Sequence, residues 1–229
     1  MIITIDGPSG AGKGTLAARL AKQLGWHLLD SGALYRLTAL AIIRQDIDID
    51  SRKDINADTA VQLAQAAAEL DVEFVTRDNG VTVLLQQQDV SQALRTEETA
   101  AVASMVAAVP AVRQALLTRQ RAFAQPPGLI ADGRDMGTVV FPTAALKLYL
   151  TASAEQRAHR RVEQLKKQGL TANLPTILQE IEARDHRDTH RDVAPLLPAD
   201  DAHEIDTSEL DAEAVYQHAW TMIQQLQLT

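Results

Sequence analysis

Glycine, lysine and hydroxyl residues crowd into one stretch near the start of the chain: Asp6-Gly7-Pro8-Ser9-Gly10-Ala11-Gly12-Lys13-Gly14-Thr15. Gly7 to Lys13 fits the spacing G-x-x-x-x-G-K of a phosphate-binding loop. That chemistry needs backbone N–H groups turned toward an anion, which glycines permit. It also needs a helix start whose free N–H groups and positive dipole end face the same point. Lys13 is read as an exposed, mobile charge for the β- and γ-phosphates of a nucleoside triphosphate. Such loops usually place Ser or Thr directly after the lysine, as a magnesium ligand. Here Gly14 intervenes and the hydroxyl arrives at Thr15, leaving open whether Thr15 meets the metal directly or through water.

Three further stretches carry polar chemistry. Leu129-Ile130-Ala131-Asp132 is an apolar run ending in an acid, followed by Gly133-Arg134-Asp135-Met136-Gly137. A strand ending in Asp is the usual partner of a phosphate loop, holding magnesium or its waters; the plain alternative is a carboxylate capping a turn. Asp30-Ser31-Gly32-Ala33-Leu34-Tyr35-Arg36 is rich in groups that bind polar ligands, or is simply a strand end, a cap and a surface arginine. The run Arg184-Asp185-His186-Arg187-Asp188-Thr189-His190-Arg191 has three readings. It is a solvated helix with ion pairs four residues apart, a metal site through His186 and His190, or a clamp on phosphates. Phosphoryl transfer between two nucleotides gathers many negative charges and needs cations from outside the phosphate loop, on an element able to close. Arg184, Asp188 and Arg191 are spaced four and three apart, which puts them on one helix face.

The elements that must position these groups follow from periodicity. Ile2 to Ile5 is β-favouring, and Leu16, Ala17, Leu20, Ala21 and Leu24 recur at helical spacing, so the loop joins a strand to a helix. Trp26 to Asp30 reads as a strand, Ser31 as the N-cap of a helix over Leu34 to Arg44, and residues 45 to 53 as an acidic joint. Ile55 to Leu70 is helical. Alternating residues on either side of Asn79-Gly80 signal a hairpin. Helices are expected between Gln92 and Ala108 and from Pro110 to about Ala124. Lys147 to Thr151 is a strand. A helix capped by Ser153 starts at Ala154 and breaks near Gly169, and another spans Pro175 to His190. His203 to Asp206 and Ala212 to Leu226 are the last strand and helix. A hairpin with helices between strands of a parallel α/β core is most simply an inserted subdomain. At 229 residues and 46% hydrophobic, one domain with insertions has ample core. A formal charge of −8 argues against general affinity for nucleic acid or anionic membrane. With no cysteine there is no disulfide or thiol chemistry, and neither a signal peptide nor a membrane span is expected.

The G-x-x-G-x-G-K-G-T form resembles the nucleoside monophosphate kinases. Ile3 to Thr15, Leu28 to Arg36, Gly128 to Pro142 and Arg184 to Asp188 together resemble bacterial cytidylate kinases over nearly the whole length. Asp132-Gly133-Arg134-Asp135-Met136-Gly137 is the most specific string. The resemblance implies an α/β fold: a P-loop NTPase-like core with a five-stranded parallel sheet flanked by helices, an inserted monophosphate-binding subdomain containing the hairpin, and a short helical lid. The boundaries read on that basis are 1–36, 119–156 and 172–229 for the core, 37–118 for the insertion and 157–171 for the lid. It further implies transfer of the γ-phosphoryl group of ATP to CMP or dCMP, with Mg2+, by a cytoplasmic monomer without nucleic-acid or membrane partners.

The roles implied are these. Gly7, Pro8, Ser9, Gly10, Ala11, Gly12, Lys13, Gly14 and Thr15 hold ATP. Arg36, Arg134 and Arg191 hold the acceptor phosphate, and Ser104, Arg113 and Asp135 read cytosine. Ser31, Arg184 and Asp188 lie near the ribose. Lys13, Arg134, Arg184 and Asp132 act in catalysis, and Asp132 and Thr15 serve the metal, Asp132 through water. Ser104 and Arg113 sit in less distinctive text, where a small-residue packing face is an equally good account. A P-loop kinase for another nucleoside monophosphate or a small acceptor is the alternative, and a non-catalytic nucleotide switch is the rival from another class. The long insertion argues against a small acceptor, and the arginines available for two phosphate groups argue against a switch.

Overall fold

The computed structural model describes residues 1–47, 49, 55–77, 80–167 and 169–228. In chain order, β1 (Ile2–Asp6) leads through the glycine loop to α1 (Lys13–Leu24), β2 (His27–Asp30) and α2 (Ser31–Arg44). Next come α3 (Ala57–Ala68), β3 (Val72–Arg77), β4 (Gly80–Leu85), the short β5 (Gln88–Asp89), a 3-10 turn at Ala93–Arg95, α4 (Glu97–Val106) and α5 (Pro110–Ala122). The chain ends with β6 (Leu129–Asp132), a π turn at Met136–Val140, β7 (Leu146–Thr151), α6 (Ala154–Lys167), α7 (Leu174–His190), β8 (His203–Asp206) and α8 (Ala212–Gln225). It divides into two compact units, Met1–Asp30 with Gln120–Thr229, and Ser31–Arg119.

The first unit is built on a five-stranded parallel sheet in the order β2-β6-β1-β7-β8. Parallel strands covered on both faces are near-continuous apolar runs. Accordingly β6 is buried throughout, and Ile3, Ile5, Leu146, Leu148 and Leu150 join one core with Leu16, Leu20, Tyr216 and Ile223 of α1 and α8. The register sets Ile5 beside Asp132 and Asp30 beside Asp132. Asp6, Asp30 and Asp132 therefore stand together at the carboxyl ends of three strands, where open α/β sheets bind their ligands. Only glycine fits at position 7: its φ is 140°, and a Cβ would lie 2.0 Å from the Leu150 carbonyl oxygen. α1 then begins from left-handed Gly12 with no side-chain cap, so its first N–H groups face the loop.

α6 and α7 form a helical pair with its own small cluster, Ala158, Val162 and Ile177, supported by Leu165, Leu174 and Ile181. Ser153 caps α6, accepting from Gln156 N at 3.2 Å. The break between them holds Gly169 at φ 76°.

The second unit packs apolar α2 against α3 and α4, beside an antiparallel sheet in the order β3-β4-β5. Leu34, Leu37, Leu63, Val106, Val112 and Leu116 are among its buried residues. The hairpin pairs Val72 with Leu85 through Arg77 with Gly80, as the alternating pattern required. Asp78 and Asn79 of its turn lie outside the described residues, as do residues 48 and 50–53 of the acidic joint.

Two local expectations are corrected, and two elements were not anticipated. Ser31 is the first residue of α2, not a cap ahead of it. Arg191 is not on the helical face with Arg184 and Asp188: α7 ends at His190, and Arg191 has extended backbone at φ −69°, ψ 143°. The π turn at Met136–Val140 and β5 have no counterpart in the periodicity.

Candidate functional site

The glycine loop is clasped from several sides. Lys13 is buried, not exposed as its place in a loop suggests: it is 6% accessible, and its Nζ donates back to the Pro8 carbonyl at 2.9 Å. Burial pulls its pKa below the ordinary lysine range, and the Arg134 guanidinium pulls the same way while Asp132 opposes both. Asp132, at the end of β6, is pushed up by burial and by Asp30, against the pull of Lys13. Its Oδ2 lies close under the loop, 3.4 Å from where a Cβ on Gly14 would stand. Lysine, carboxylate and arginine thus share one buried pocket of charge, in which each field acts far more strongly than in water.

The neighbouring strand end carries Arg134. Its Nε donates to Asp188 Oδ2 at 2.8 Å, across from β6 to α7. Arg184 Nε lies 4.0 Å from the same oxygen. Burial alone would raise the Asp188 pKa, but Arg134 and Arg184 outweigh it and hold the carboxyl below the usual range. Arg191, just past α7, donates through Nε to the Ala194 carbonyl at 2.5 Å. Three arginines are therefore gathered around one buried carboxylate. Asp135 is buried and begins the π turn, its carbonyl accepting from Val139 N at 2.9 Å and Val140 N at 3.1 Å.

Sequence reasoning passed over Asp6 as a site residue. It is 5% accessible, and its two oxygens accept from Met136 N at 2.9 Å and Gly137 N at 2.8 Å. Burial pushes its pKa up to about 6, more than those two bonds pull it down. Arg157 stands at the first position of the expected lid, 157–171. It donates to the Ala152 carbonyl at 3.0 Å and to the Ser9 carbonyl at 3.2 Å, and forks onto both oxygens of Asp185. Such forked pairs fix geometry as well as charge. It thus ties the glycine loop to α6 and α7.

A cavity of about 250 Å³ was also missed. It is lined by Gly12, Thr15, Arg160, Thr207, Leu210 and Val215, among others. Buried Thr207 is its anchor. Its hydroxyl lies 3.1 Å from the Ala11 carbonyl and 3.0 Å from the Thr151 carbonyl, and accepts from Arg160 Nη1 at 3.1 Å. A lone Thr207-Ser208 offers no sequence signal. Its importance comes from contacts with residues far off in the chain.

The remaining expected residues fall in the second unit. Ser31 and Arg36 are on α2, and Arg36 Nη1 donates to the Leu94 carbonyl at 2.8 Å. Ser104 on α4 is buried. Arg113 on α5 donates to the Ala107 carbonyl at 3.0 Å and stands 5.7 Å from the Tyr35 ring centroid. Tyr35 and Arg113 are buried in this unit, and the guanidinium groups of Arg36 and Arg113 are held by backbone carbonyls.

The metal reading of the histidines fails among the described residues. His186 and His190 stack with centroids 4.1 Å apart, and no three His, Cys, Asp or Glu side chains assemble a metal site. The donors beside the loop are the Asp132 carboxylate and the exposed Thr15 hydroxyl. Magnesium keeps several waters and is commonly held by one or two carboxylates plus substrate phosphates, so this sparse donor set suits it.

Comparison with known proteins bears on the whole chain. A family model described as cytidylate kinase matches residues 3–225. The chain is 54% identical over 224 residues to a cytidylate kinase of Photobacterium profundum, covering 98% of this chain and 95% of that protein. It is 54% identical over 225 residues to one from Shewanella loihica, with coverage of 98% and 94%. Against one from Pseudomonas entomophila it is 56% identical over 218 residues, with coverage of 94% and 92%.

Proposed function

The chain belongs to the cytidylate kinase family, and we propose that it transfers the γ-phosphoryl group of ATP to CMP or dCMP, giving CDP or dCDP. The observation that carries the reading is the family match from end to end, on a chain whose phosphate loop faces a cluster of arginines around Asp188. In phosphoryl transfer the protein positions the reactants and stabilises charge, and takes little part in covalent chemistry. Gly7 to Thr15 hold the triphosphate through backbone N–H groups at the start of α1. Lys13 turns from the Pro8 carbonyl to the β- and γ-phosphates. Arg36, Arg134 and Arg191 hold the acceptor phosphate. Arg184 serves the transferring group, and with Ser31 and Asp188 it borders the ribose.

Asp135, Arg113 and Ser104 read the base. Cytosine offers a donor at N4 and an acceptor at N3, which match an ionised Asp and an Arg. Uracil reverses both. Residues 37–118 serve as the monophosphate-binding region and 157–171 as the lid. The cavity lined by Arg160, Thr207 and Leu210 is the place for the base of ATP. Thr15 and Asp132, the latter through water, would hold Mg2+, which when bound supplies charge neutralisation across the β- and γ-phosphates. The enzyme works as a cytoplasmic monomer and needs neither nucleic acid nor membrane.

A coupled assay for ADP release, run with CMP, dCMP, AMP, UMP and shikimate in turn, tests the assignment. Turnover with CMP and dCMP well above the others is expected. Equal or better turnover with AMP or shikimate would reject it.

A further inference from the structure

The segment from Gly133 to Val140 carries Arg134 and Asp135, and its position is set from outside. Gly133 N donates to the Ile5 carbonyl at 3.0 Å. At the far end, Arg121 donates through Nε to the Val140 carbonyl at 3.1 Å and through Nη2 to the Val139 carbonyl at 3.2 Å. Between these points the segment is held by the Asp6 carboxylate, one oxygen on Met136 N and the other on Gly137 N. Asp6 is also the residue before Gly7, so a single side chain fixes the start of the phosphate loop relative to the turn that follows Asp135.

The fit leaves little room for adjustment. A Cβ at Gly137 would stand 2.9 Å from Thr4 Oγ1 and 3.1 Å from Lys147 Cδ, so the backbone lies hard against β1 and β7. Phe141 N closes the turn on the Met136 carbonyl at 2.7 Å. A carboxylate offers one oxygen to each of the two N–H groups, whereas an amide of the same length would set its NH2 against one of them. Bonds to an ionised acceptor are also the stronger kind.

We propose that Asp6 is a positioning residue for base discrimination: its carboxylate holds the Met136 and Gly137 amides and so fixes Asp135 where it can tell CMP from UMP. This rests on the reading of Asp135 as the group facing the cytosine amino group. A displacement of about 1 Å in a positioned group can cost on the order of a hundredfold, so a slackened turn should show first in specificity.

The test is Asp6→Asn, which keeps shape but offers one acceptor and sets an N–H against the other amide. The variant is assayed for kcat/KM with CMP and UMP, for KM with ATP, and for amide exchange. The CMP-to-UMP ratio should narrow about tenfold, a fraction of the roughly hundredfold that misplacement can cost. KM for ATP should stay within about a factor of two, and the Met136 and Gly137 amides should exchange at least about tenfold faster, as the loss of a held bond implies. On an Asp135→Ala background, Asp6→Asn should leave the ratio where Asp135→Ala alone puts it. A parallel fall with CMP and UMP, or a rise in KM for ATP matching that for CMP, would overturn the inference, since a purely structural role moves everything together. If Asp135→Ala alone leaves the ratio unchanged, the base reading itself falls and takes this inference with it. If Asp135→Ala narrows the ratio but Asp6→Asn leaves the two amides unchanged, only the role of Asp6 falls. Should Asp6→Asn not fold, the wild-type protein decides: its two amides should exchange only through global opening, and exchange at the rate of exposed loop amides would refute the strap.

Discussion

Replacing Asp188 by Asn probes the arginine cluster. The substitution preserves volume and removes a charge that lies 2.8 Å from Arg134 and 4.0 Å from Arg184. At an effective dielectric of about 20, a unit pair at about 4 Å is worth roughly 4 kcal/mol before desolvation is counted. Asp188 and Arg134 are mostly buried, and removing one partner of such a pair typically costs about 3–5 kcal/mol, because the other charge stays uncompensated. Asn can still accept the Arg134 bond, so the expected loss sits at the lower end, about 3 kcal/mol. For a chain of this size that lowers Tm by roughly 6–12 °C.

The pH dependence separates charge loss from poor packing. The folded-state pKa of Asp188 lies below its unfolded value of 3.8. Its stabilisation is therefore complete above the unfolded pKa and lost as pH falls through the depressed one. Wild type and Asp188→Asn, followed by circular dichroism during thermal or urea unfolding, should differ by a constant amount from pH 7 to about pH 5 and converge only in stronger acid. A difference below about 1 kcal/mol at pH 7, the range of an exposed surface pair, would refute the account. So would convergence already near pH 6.

Other outcomes follow from the same geometry. If Lys13 serves the phosphates as proposed, Lys13→Ala should lower kcat on the order of 10²–10³ in the ADP-coupled assay; a variant keeping more than about a tenth of wild-type kcat removes Lys13 from that role. Asp135→Ala should depress kcat/KM for CMP far more than for UMP, and parallel losses would take Asp135 out of the base pocket. Amide exchange in residues 37–118 and 155–191 should slow on binding a bisubstrate analogue, as expected of segments that close on substrate. Unchanged exchange in both counts against closure.

The parts of this molecule legible in its sequence are those decided by neighbours along the chain. The β1–loop–α1 unit, the hairpin pattern around Gly80 and the Ser153 cap each depend on a few adjacent residues, and each stands where the pattern put it. What was illegible depends on distant partners. No local signal announces a π turn at Met136–Val140, because the carboxylate that satisfies its N–H groups sits 130 residues earlier. Lys13 looks exposed until the fold brings Asp132 and Arg134 around it and turns its Nζ back on Pro8. Asp188 and Arg134 are 54 positions apart, so their pairing was invisible although both were singled out. The helical spacing of Arg184, Asp188 and Arg191 misled because the period continues on paper after the backbone has left the helix at His190.

The strand order bears on how the chain is made. β1 leaves the ribosome long before the strands it pairs with: it is the middle strand of its sheet, and its two neighbours begin at Leu129 and Leu146. At roughly 5–20 residues per second of synthesis, that interval lasts on the order of 6–25 seconds. During it Ile2, Ile3 and Ile5 have no strand to pair with. The compact unit spanning Ser31–Arg119 is emitted whole in the meantime. The sheet is then completed backwards, onto a strand that has waited longest. The nascent chain should therefore be most vulnerable to aggregation, and most dependent on chaperones, in the stretch before β7 emerges, and a ribosome stalled there should present β1 to a holdase as an open apolar segment.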